Sequence, residues 1–348
     1  MNIVKPNAVL MEHNVHPYKF IEKVGRTCYK SEDKITDESA EKFVASLVKR
    51  QHGAMLEHEW LYLAYSDKRK NLASDIFNLL TQIDKDYSKI QEKLLPYFYF
   101  GFIGDSVSGI TNYVAASFRT WIQFASLAYD LSYGSTSIIG LIWTLNNAYP
   151  IAFKPASYYV ASNQTEFLRG LERDFEKKAP YIIIPREEIE KSLANETEPT
   201  DKLIHTMLFT CDRGVSHEFV RHRPASFGQE STRYCNYTKG QFGGEITVVE
   251  PPFWNRSSEA YKIWKNACKG SEKAYFELIK EGATPQEARS VLPNSLKTEI
   301  FITATEAEWQ HIVNLRYHGL TGAPHPQMKE VMEIAYSSLV KASNGRIK

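Results

Sequence analysis

Arg221, His222 and Arg223 stand side by side in the stretch 212–237, DRGVSHEFVRHRPASFGQESTRYCNY, and after seven further residues come Ser231 and then Arg233. Fixed or near-fixed positive charges beside a hydroxyl make an anion site. A guanidinium offers a planar fork of donors that meets phosphate bidentately, and hydroxyls and loop amides across 226–232 can complete such a cradle. The tripeptide alone has a plainer reading, because cations in the last turn of a helix suit its dipole without any ligand. Ser231 could be drawn as a nucleophile, yet no adjacent base activates it, which favours a hydrogen bond to a phosphate or substrate. Elsewhere His52, Glu57 and His58 crowd the approach to the apolar run EWLYLAY. A lone histidine there is more often surface or satisfied core than functional. Arg289 in TPQEARSVLP is a further cation, for which a solvated face is the default, and Arg316 ends a helical pattern.

Helices and strands must position these groups. Val215, Phe219 and Val220 fall on one helical face, so DRGVSHEFV reads as a helix that Pro224 closes, with Arg221 and Arg223 in its last turn. Upstream, 18–29 reads as a helix, and Ala40, Phe43, Val44, Leu47 and Val48 predict another, capped by Thr36 or Asp37 and followed by Gly53. EWLYLAY and LIHTMLFTC read as strands. A helix over 257–281 should turn Ala260, Ile263, Trp264, Ala267, Tyr275 and Leu278 inward. Thr284, Pro285 and Glu287 form a capping box with proline in the first turn. Trp309, Ile312 and Val313 line the helix 306–315, and Met328, Val331, Met332, Ala335, Tyr336, Leu339 and Val340 stripe the last one, a core or subunit-interface face. Between the two strand-like runs, helix-like stretches at 72–95 and 113–129 suggest an excursion from a connection between neighbouring strands. The string SFRTW at 117–121 faintly echoes TEAEW at 305–309, with chance the simpler account. GFIGDSVSG at 101–109 has neither dinucleotide-fold nor P-loop spacing.

Composition narrows the class. At 43% hydrophobic, 24% charged and 13% aromatic, the chain has the profile of a soluble globular protein of one large or two moderate domains. A net charge of +1 gives no global argument for nucleic acid or membrane, so any anion site is local. The four cysteines, at 28, 211, 235 and 268, make no Cys-x-x-Cys pair and have no histidine at ligand spacing. They suggest neither a disulfide framework nor a zinc site, so no metal is expected and a reducing cytoplasm is the simplest location. The N-terminal apolar run is too short for a signal peptide, and TSIIGLIWTL at 136–145 is too short to span a bilayer.

The extended string DRGVSHEFVRHRPASFGQESTRY resembles the signature of the flavin-dependent thymidylate synthases, the ThyX family. The resemblance runs over 17–65 and 204–340. It implies an α+β, ThyX-like fold with a mixed helix and sheet core from 1–65 and 204–348, interrupted by a mainly helical insertion at 66–203. It further implies dUMP as substrate, FAD as cofactor, NADPH and methylenetetrahydrofolate as co-substrates, and a homotetramer with sites shared between subunits. By the same resemblance dUMP would meet Glu218, Arg221, Gln229, Glu230, Ser231, Thr232, Arg233, Arg289 and Arg316, with Arg316 catalytic. FAD would meet His52, Ala54, Arg221, His222, Arg223, Gln229, Thr305, Ala307 and His311. The departures are specific. The family's Gly-His-x-(Ser/Thr)-x-x-Glu-His pattern here has Gln51 and Ala54, Gln229 stands where Glu is frequent, and Thr305, Ala307 and His311 replace an Asn, an Arg and a second Asn around Trp309.

Methylating uracil at C5 requires that carbon to become nucleophilic. No Pro-Cys-His-Gln-type motif supplies a thiolate in this chain. Hydride from a reduced flavin at C6 removes that need, leaving the protein to hold the reactants and bias charge. An arginine at the N3/O2 edge of the pyrimidine stabilises an enolate-like or N3-deprotonated ring. A flavin- or nucleotide-binding relative with a regulatory or structural role is the alternative, given the replaced positions. Nucleic-acid binding through Arg221–Arg223 is a third reading, disfavoured by the near-neutral charge.

Overall fold

A computed structural model of the chain describes residues 1–13, 15–65, 76, 98–105, 109–130, 136–157, 181–239 and 242–348. Its strands, in chain order, are β1 (Asn2–Val4), β2 (Asn7–Met11), β3 (Trp60–Tyr65), β4 (Tyr99–Asp105), β5 (Gly109–Ser117), β6 (Tyr181–Ile184), β7 (Ile204–Asp212), β8 (Ser226–Gln229), β9 (Thr247–Val249) and β10 (Lys297–Thr305). Together with the helices they make an α+β architecture. The chain divides into two compact units, the first Met1–Thr36, Thr197–Thr200 and Ile204–Lys348, the second Asp37–Glu196 and Asp201–Leu203. The division falls at Thr36, so the segment from Asp37 through β3 groups with the residues C-terminal to it. No helix among the described residues is long and apolar enough to cross a membrane.

In the first unit an antiparallel sheet runs β2-β7-β10-β8. Strand residues alternate between faces, and Met207, Phe209 and Cys211 of β7 with Ile300, Ile302 and Ala304 of β10 share one buried cluster. Helices Arg213–Phe219, Glu306–Val313 and Pro326–Ala342 contribute Val215, Phe219, Trp309, Ile312, Val313, Met328, Val331, Met332, Ala335 and Leu339 to that cluster. Full burial of a side chain of the larger kind is worth roughly 1.5–3 kcal/mol. The stripe on the last helix is therefore core rather than ligand surface. A second cluster lies under the helix Glu259–Lys280, beside the parallel pair β1 and β9. Its inner face agrees with the expected one at Tyr275, Trp264 and Leu278 and differs elsewhere: Tyr261 and Cys268 are buried, whereas Ile263 is 63% exposed. Tyr261 fixes that rotation, since its hydroxyl donates to Glu250 Oε1 at 2.9 Å.

The second unit holds another antiparallel sheet, ordered β4-β5-β3-β6. Central β3 buries Leu61, Tyr62, Leu63 and Ala64, as its unbroken apolar run implies. The described part of 66–203 adds helices, as expected of the insertion, with three strands besides. Two expectations change here. The expected helix over 113–129 is strand as far as Ser117 and helix only over Phe118–Asp130, because residues 113–117 find partners along β3. And β3 and β7, expected as neighbouring strands, belong to different sheets. The helix Ser39–Lys49 starts later than anticipated, with Glu38 rather than Thr36 or Asp37 at its N-cap, and it ends before a left-handed Gln51 at φ 56°. Apart from Ile76, the 72–95 stretch lies outside the described residues.

The echo of 305–309 in 117–121 proves to be a repeated piece of structure. Ser117 ends β5 opposite Trp60, the first residue of β3; Thr305 ends β10 opposite Ile204, the first residue of β7. Each hydroxyl then caps the next helix, Ser117 Oγ accepting from Thr120 N and Thr305 Oγ1 from Glu308 N, both at 3.2 Å. Four residues after each cap a buried tryptophan donates its indole N–H to the second residue of the central strand. Trp121 reaches Leu61 O at 3.2 Å and Trp309 reaches His205 O at 2.9 Å. In this correspondence Arg119 stands where Ala307 stands in the first unit.

Candidate functional site

Asp212 caps the helix Arg213–Phe219 by accepting from Val215 N at 2.8 Å. The helix closes at Phe219, so Arg221, His222 and Arg223 occupy the turns beyond its end rather than its last turn. His222 N donates to Phe219 O at 3.0 Å and Ala225 N to His222 O at 3.1 Å. That folding buries the imidazole of His222 and leaves Arg221 and Arg223 exposed, with no side-chain hydrogen bond or ion pair among the described residues.

Arg316 closes on this corner from the wide helical turn Asn314–His318. Its NH1 donates to Glu218 Oε2 at 2.7 Å, its NH2 to Glu218 O at 3.2 Å, and its Nε to His222 Nε2 at 3.2 Å. Accepting at Nε2 puts the single proton of a neutral His222 on Nδ1. That nitrogen lies 3.3 Å from Glu308 Oε1. His311 stands close by, its ring centroid 5.7 Å from that of His222. Thr305 spends its hydroxyl on the helix cap, and Ala307 offers only its backbone, whose N–H donates to Thr200 O at 3.2 Å.

Another group of the sequence-predicted residues lies in the loop after β8. Ser231 N donates to Cys28 O at 3.0 Å, and Tyr234 N and Cys235 N donate back to Ser231 O at 3.0 and 3.1 Å. The Ser231 hydroxyl accepts from Arg233 N at 3.4 Å. Arg289 reaches across to this loop, its NH1 donating to Thr232 Oγ1 at 3.4 Å. Arg233 is exposed, its guanidinium carbon 5.7 Å from the centre of the Tyr234 ring. Gln229 is anchored within the fold: its Nε2 donates to Ser216 Oγ at 2.8 Å and to Thr298 Oγ1 at 3.2 Å.

Glu230 serves the loop from beneath. Its buried carboxylate accepts from Lys297 Nζ at 3.3 Å and from Glu299 N at 3.2 Å, while Arg213 NH1 donates to its carbonyl at 3.2 Å. Neighbouring Glu299 pairs with Lys30 and Lys297. Burial alone would raise the Glu299 carboxyl, but the two lysines outweigh it and hold it below its ordinary value. Burial likewise works against a charged Lys30, and Glu230 and Glu299 overcome it, raising that ammonium. Sequence reasoning missed these supports; Lys30 and Glu299 are 269 residues apart, and no local spacing signals the pair.

His52 and Ala54 belong to the second unit and are exposed. There Arg119 forms an ion pair with Glu57. The approach is close enough that a Cβ on Gly53 would come within 2.9 Å of Arg119 Cδ and Nε.

An α+β unit presenting an arginine-rich loop and a gripped arginine is the class these observations define. The sequence model of the family described as "Thymidylate synthase complementing protein" matches residues 170–342. The flavin-dependent thymidylate synthase of Thermococcus onnurineus (strain NA1) is 29% identical over 160 residues, 46% of this chain and 61% of that protein. That of Pyrococcus furiosus is 30% identical over 160 residues, 46% of this chain and 62% of its own. The chain thus spans about three fifths of the length of these relatives. A crystal structure of a UMP/dUMP methylase, PolB from Streptomyces cacaoi bound with 5-Br dUMP, covers 98% of this chain and 93% of its own at 12% identity and a TM-score of 0.38. The sequence similarities support kinship with the flavin-dependent thymidylate synthases.

Proposed function

We propose that the protein is an FAD-dependent thymidylate synthase, converting dUMP to dTMP with methylenetetrahydrofolate as carbon donor and NADPH as reductant. The observation that carries the reading is Arg316 held by Glu218 and His222 in the unit whose loop joins Ser231, Thr232 and Arg289. In this reading the core is 1–65 with 204–348, the segment 66–203 is inserted into it, and the protein works in the cytoplasm as a homotetramer with sites shared between subunits.

Arg316 would face the pyrimidine and offset negative charge that develops on N3 and O2. Ser231, Arg233 and Arg289 would hold the nucleotide phosphate, a hydroxyl and two forked cations around a dianion. Gln229, Glu230 and Thr232 would keep that loop in shape, and Glu218 with Arg221 would border the base or ribose. When bound, reduced FAD supplies the hydride. The residues fit its anionic portion, since Arg221 and Arg223 project exposed guanidinium groups from one loop. Ala307 has no polar side-chain atom to offer, and Thr305 uses its hydroxyl oxygen as the acceptor of a helix cap. Arg119, at the position equivalent to Ala307 in the repeated turn, carries a guanidinium that Ala307 lacks, and in this reading it contacts the flavin. His52 and Ala54 are flavin contacts only by the resemblance.

A visible spectrum of the purified protein, before and after dUMP, tests this. Flavin bands that respond to dUMP, with dUMP-dependent NADPH oxidation, support it, and a colourless chain that binds no dUMP sinks it. Thr305 and Ala307 favour a second reading, a flavin- or nucleotide-binding relative without turnover, which would keep the bands and lack the oxidation. Arg233→Ala should weaken dUMP binding roughly 10- to 100-fold, the loss of one or two charge-assisted hydrogen bonds at about 1.5–3 kcal/mol, read by titrating the flavin absorbance. Arg119→Ala should lower the flavin retained through purification by a similar factor in affinity, with the absorbance ratio of flavin to protein as the measure.

A further inference from the structure

We propose that His222, Glu308 and His311 form a binding site for a first-row divalent cation, with Zn²⁺ the best match. One ligand atom from each residue lies within 4.8 Å of the other two. Glu308 and His311 are three residues apart in the helix Glu306–Val313, a spacing that puts both on one face, and His222 meets them from the turn after Phe219. Two imidazoles and a carboxylate are a known zinc donor set that leaves a fourth position open.

Two features point to a ligand rather than to a satisfied polar contact. Glu308 Oε1 is buried and receives no hydrogen bond, although His222 Nδ1 is 3.3 Å away. That separation also matches a tetrahedral zinc site, where ligand atoms about 2.0–2.2 Å from the metal lie roughly 3.3–3.5 Å from one another. The remaining edges, none longer than 4.8 Å, need to shorten by at most about 1.5 Å to meet that geometry, within reach of the exposed His311 side chain.

The surroundings set the terms of binding. Arg316 would repel a cation, but Glu218 neutralises it at 2.7 Å. Arg316 also donates to His222 Nε2, which keeps the imidazole proton on Nδ1. A cation on Nδ1 moves that proton to Nε2, where it confronts the Arg316 N–H. Cation binding and the Arg316–His222 hydrogen bond therefore exclude each other. Neutral histidine only exchanges tautomers in this step, so charge and protons balance without a co-reactant.

The test uses the full-length protein, stripped with a chelator and free of flavin. Co²⁺ is followed by its visible absorption and Zn²⁺ by calorimetry. The expected result is one saturable site, weakened roughly 100-fold or more by His311→Asn and by Glu308→Gln, since each removes a ligand where even outer partners are worth about 10- to 100-fold. Arg316→Ala should tighten binding, because it removes both the competing donor and a positive charge. No saturable Co²⁺ absorption overturns the proposal, and so does binding that His311→Asn and Glu308→Gln leave unchanged, which marks a cation held elsewhere. Flavin and dUMP binding are read in separate samples from flavin absorbance, so failure here is distinguishable from failure of the synthase reading.

Discussion

Arg316→Ala is expected to cut dTMP formation by roughly 100- to 1,000-fold while leaving flavin bound, the usual cost of removing one preorganised donor from a developing negative charge. The expectation comes from how the guanidinium is held. All three of its nitrogens have partners, Glu218 through NH1 and NH2 and His222 through Nε, so its plane is set before any substrate arrives. Orientation fixed in advance is what gives electrostatic stabilisation its strength, because nothing has to reorganise as charge develops. Arg316→Lys should recover little, since an ammonium cannot grip a carboxylate and a neighbouring imidazole with one planar fork. Glu218 is one-third exposed, so the carboxylate that Arg316→Ala strands remains solvated and the fold should hold. A thermal melt close to wild type, with single-turnover product lost, is the pattern sought. Wild-type turnover in Arg316→Ala would remove the residue from the chemistry.

How far the sequence was legible depends on the range of the interactions. Trp309 and the stripe from Met328 to Leu339 repeat at helical spacing, and the helices bury them as that spacing demands. The tilt of Glu259–Lys280 was not legible, because a tyrosine hydroxyl bonded to Glu250 outweighs the preference of Ile263 for burial. Residues 113–117 carry few breakers and pass for helix, until pairing with β3 decides otherwise. The candidate site divides in the same way. Ser231, Thr232 and Arg233 sit in one short string. Glu218 and Arg316 are 98 residues apart, His222 and Glu308 are 86 apart (308 minus 222), and such pairs leave no local trace. The link between 117–121 and 305–309 was present as a faint likeness of five letters. Its meaning lay in strand register and indole hydrogen bonds, which letters do not record.

Arg346→Ala carries the largest expected effect on stability. Glu306 is fully buried at the start of the helix that bears Glu308 and His311, and Arg346 meets it bidentately, Nε to Oε2 at 2.8 Å and NH2 to Oε1 at 2.7 Å. His205 of β7 donates from Nε2 to Glu306 Oε1 at 3.0 Å. Removing the arginine strands a buried carboxylate, a loss of about 3–5 kcal/mol where a buried pair is broken from one side. Glu306→Gln should cost less, since it removes the charge that needs compensation while keeping a polar partner. Burial pushes the Glu306 carboxyl up, but Arg346 and His205 outweigh it and hold it below the ordinary 4.5. A carboxyl depressed on folding contributes stability that is complete above its unfolded value and is lost as pH falls through the folded one. Wild type should therefore lose stability as pH drops below about 4.5, and Glu306→Gln should lose less over the same interval. Urea denaturation at neutral and acidic pH reads both effects. Equal acid sensitivity in wild type and Glu306→Gln would show that this cluster does not anchor the helix on which Glu308 and His311 depend.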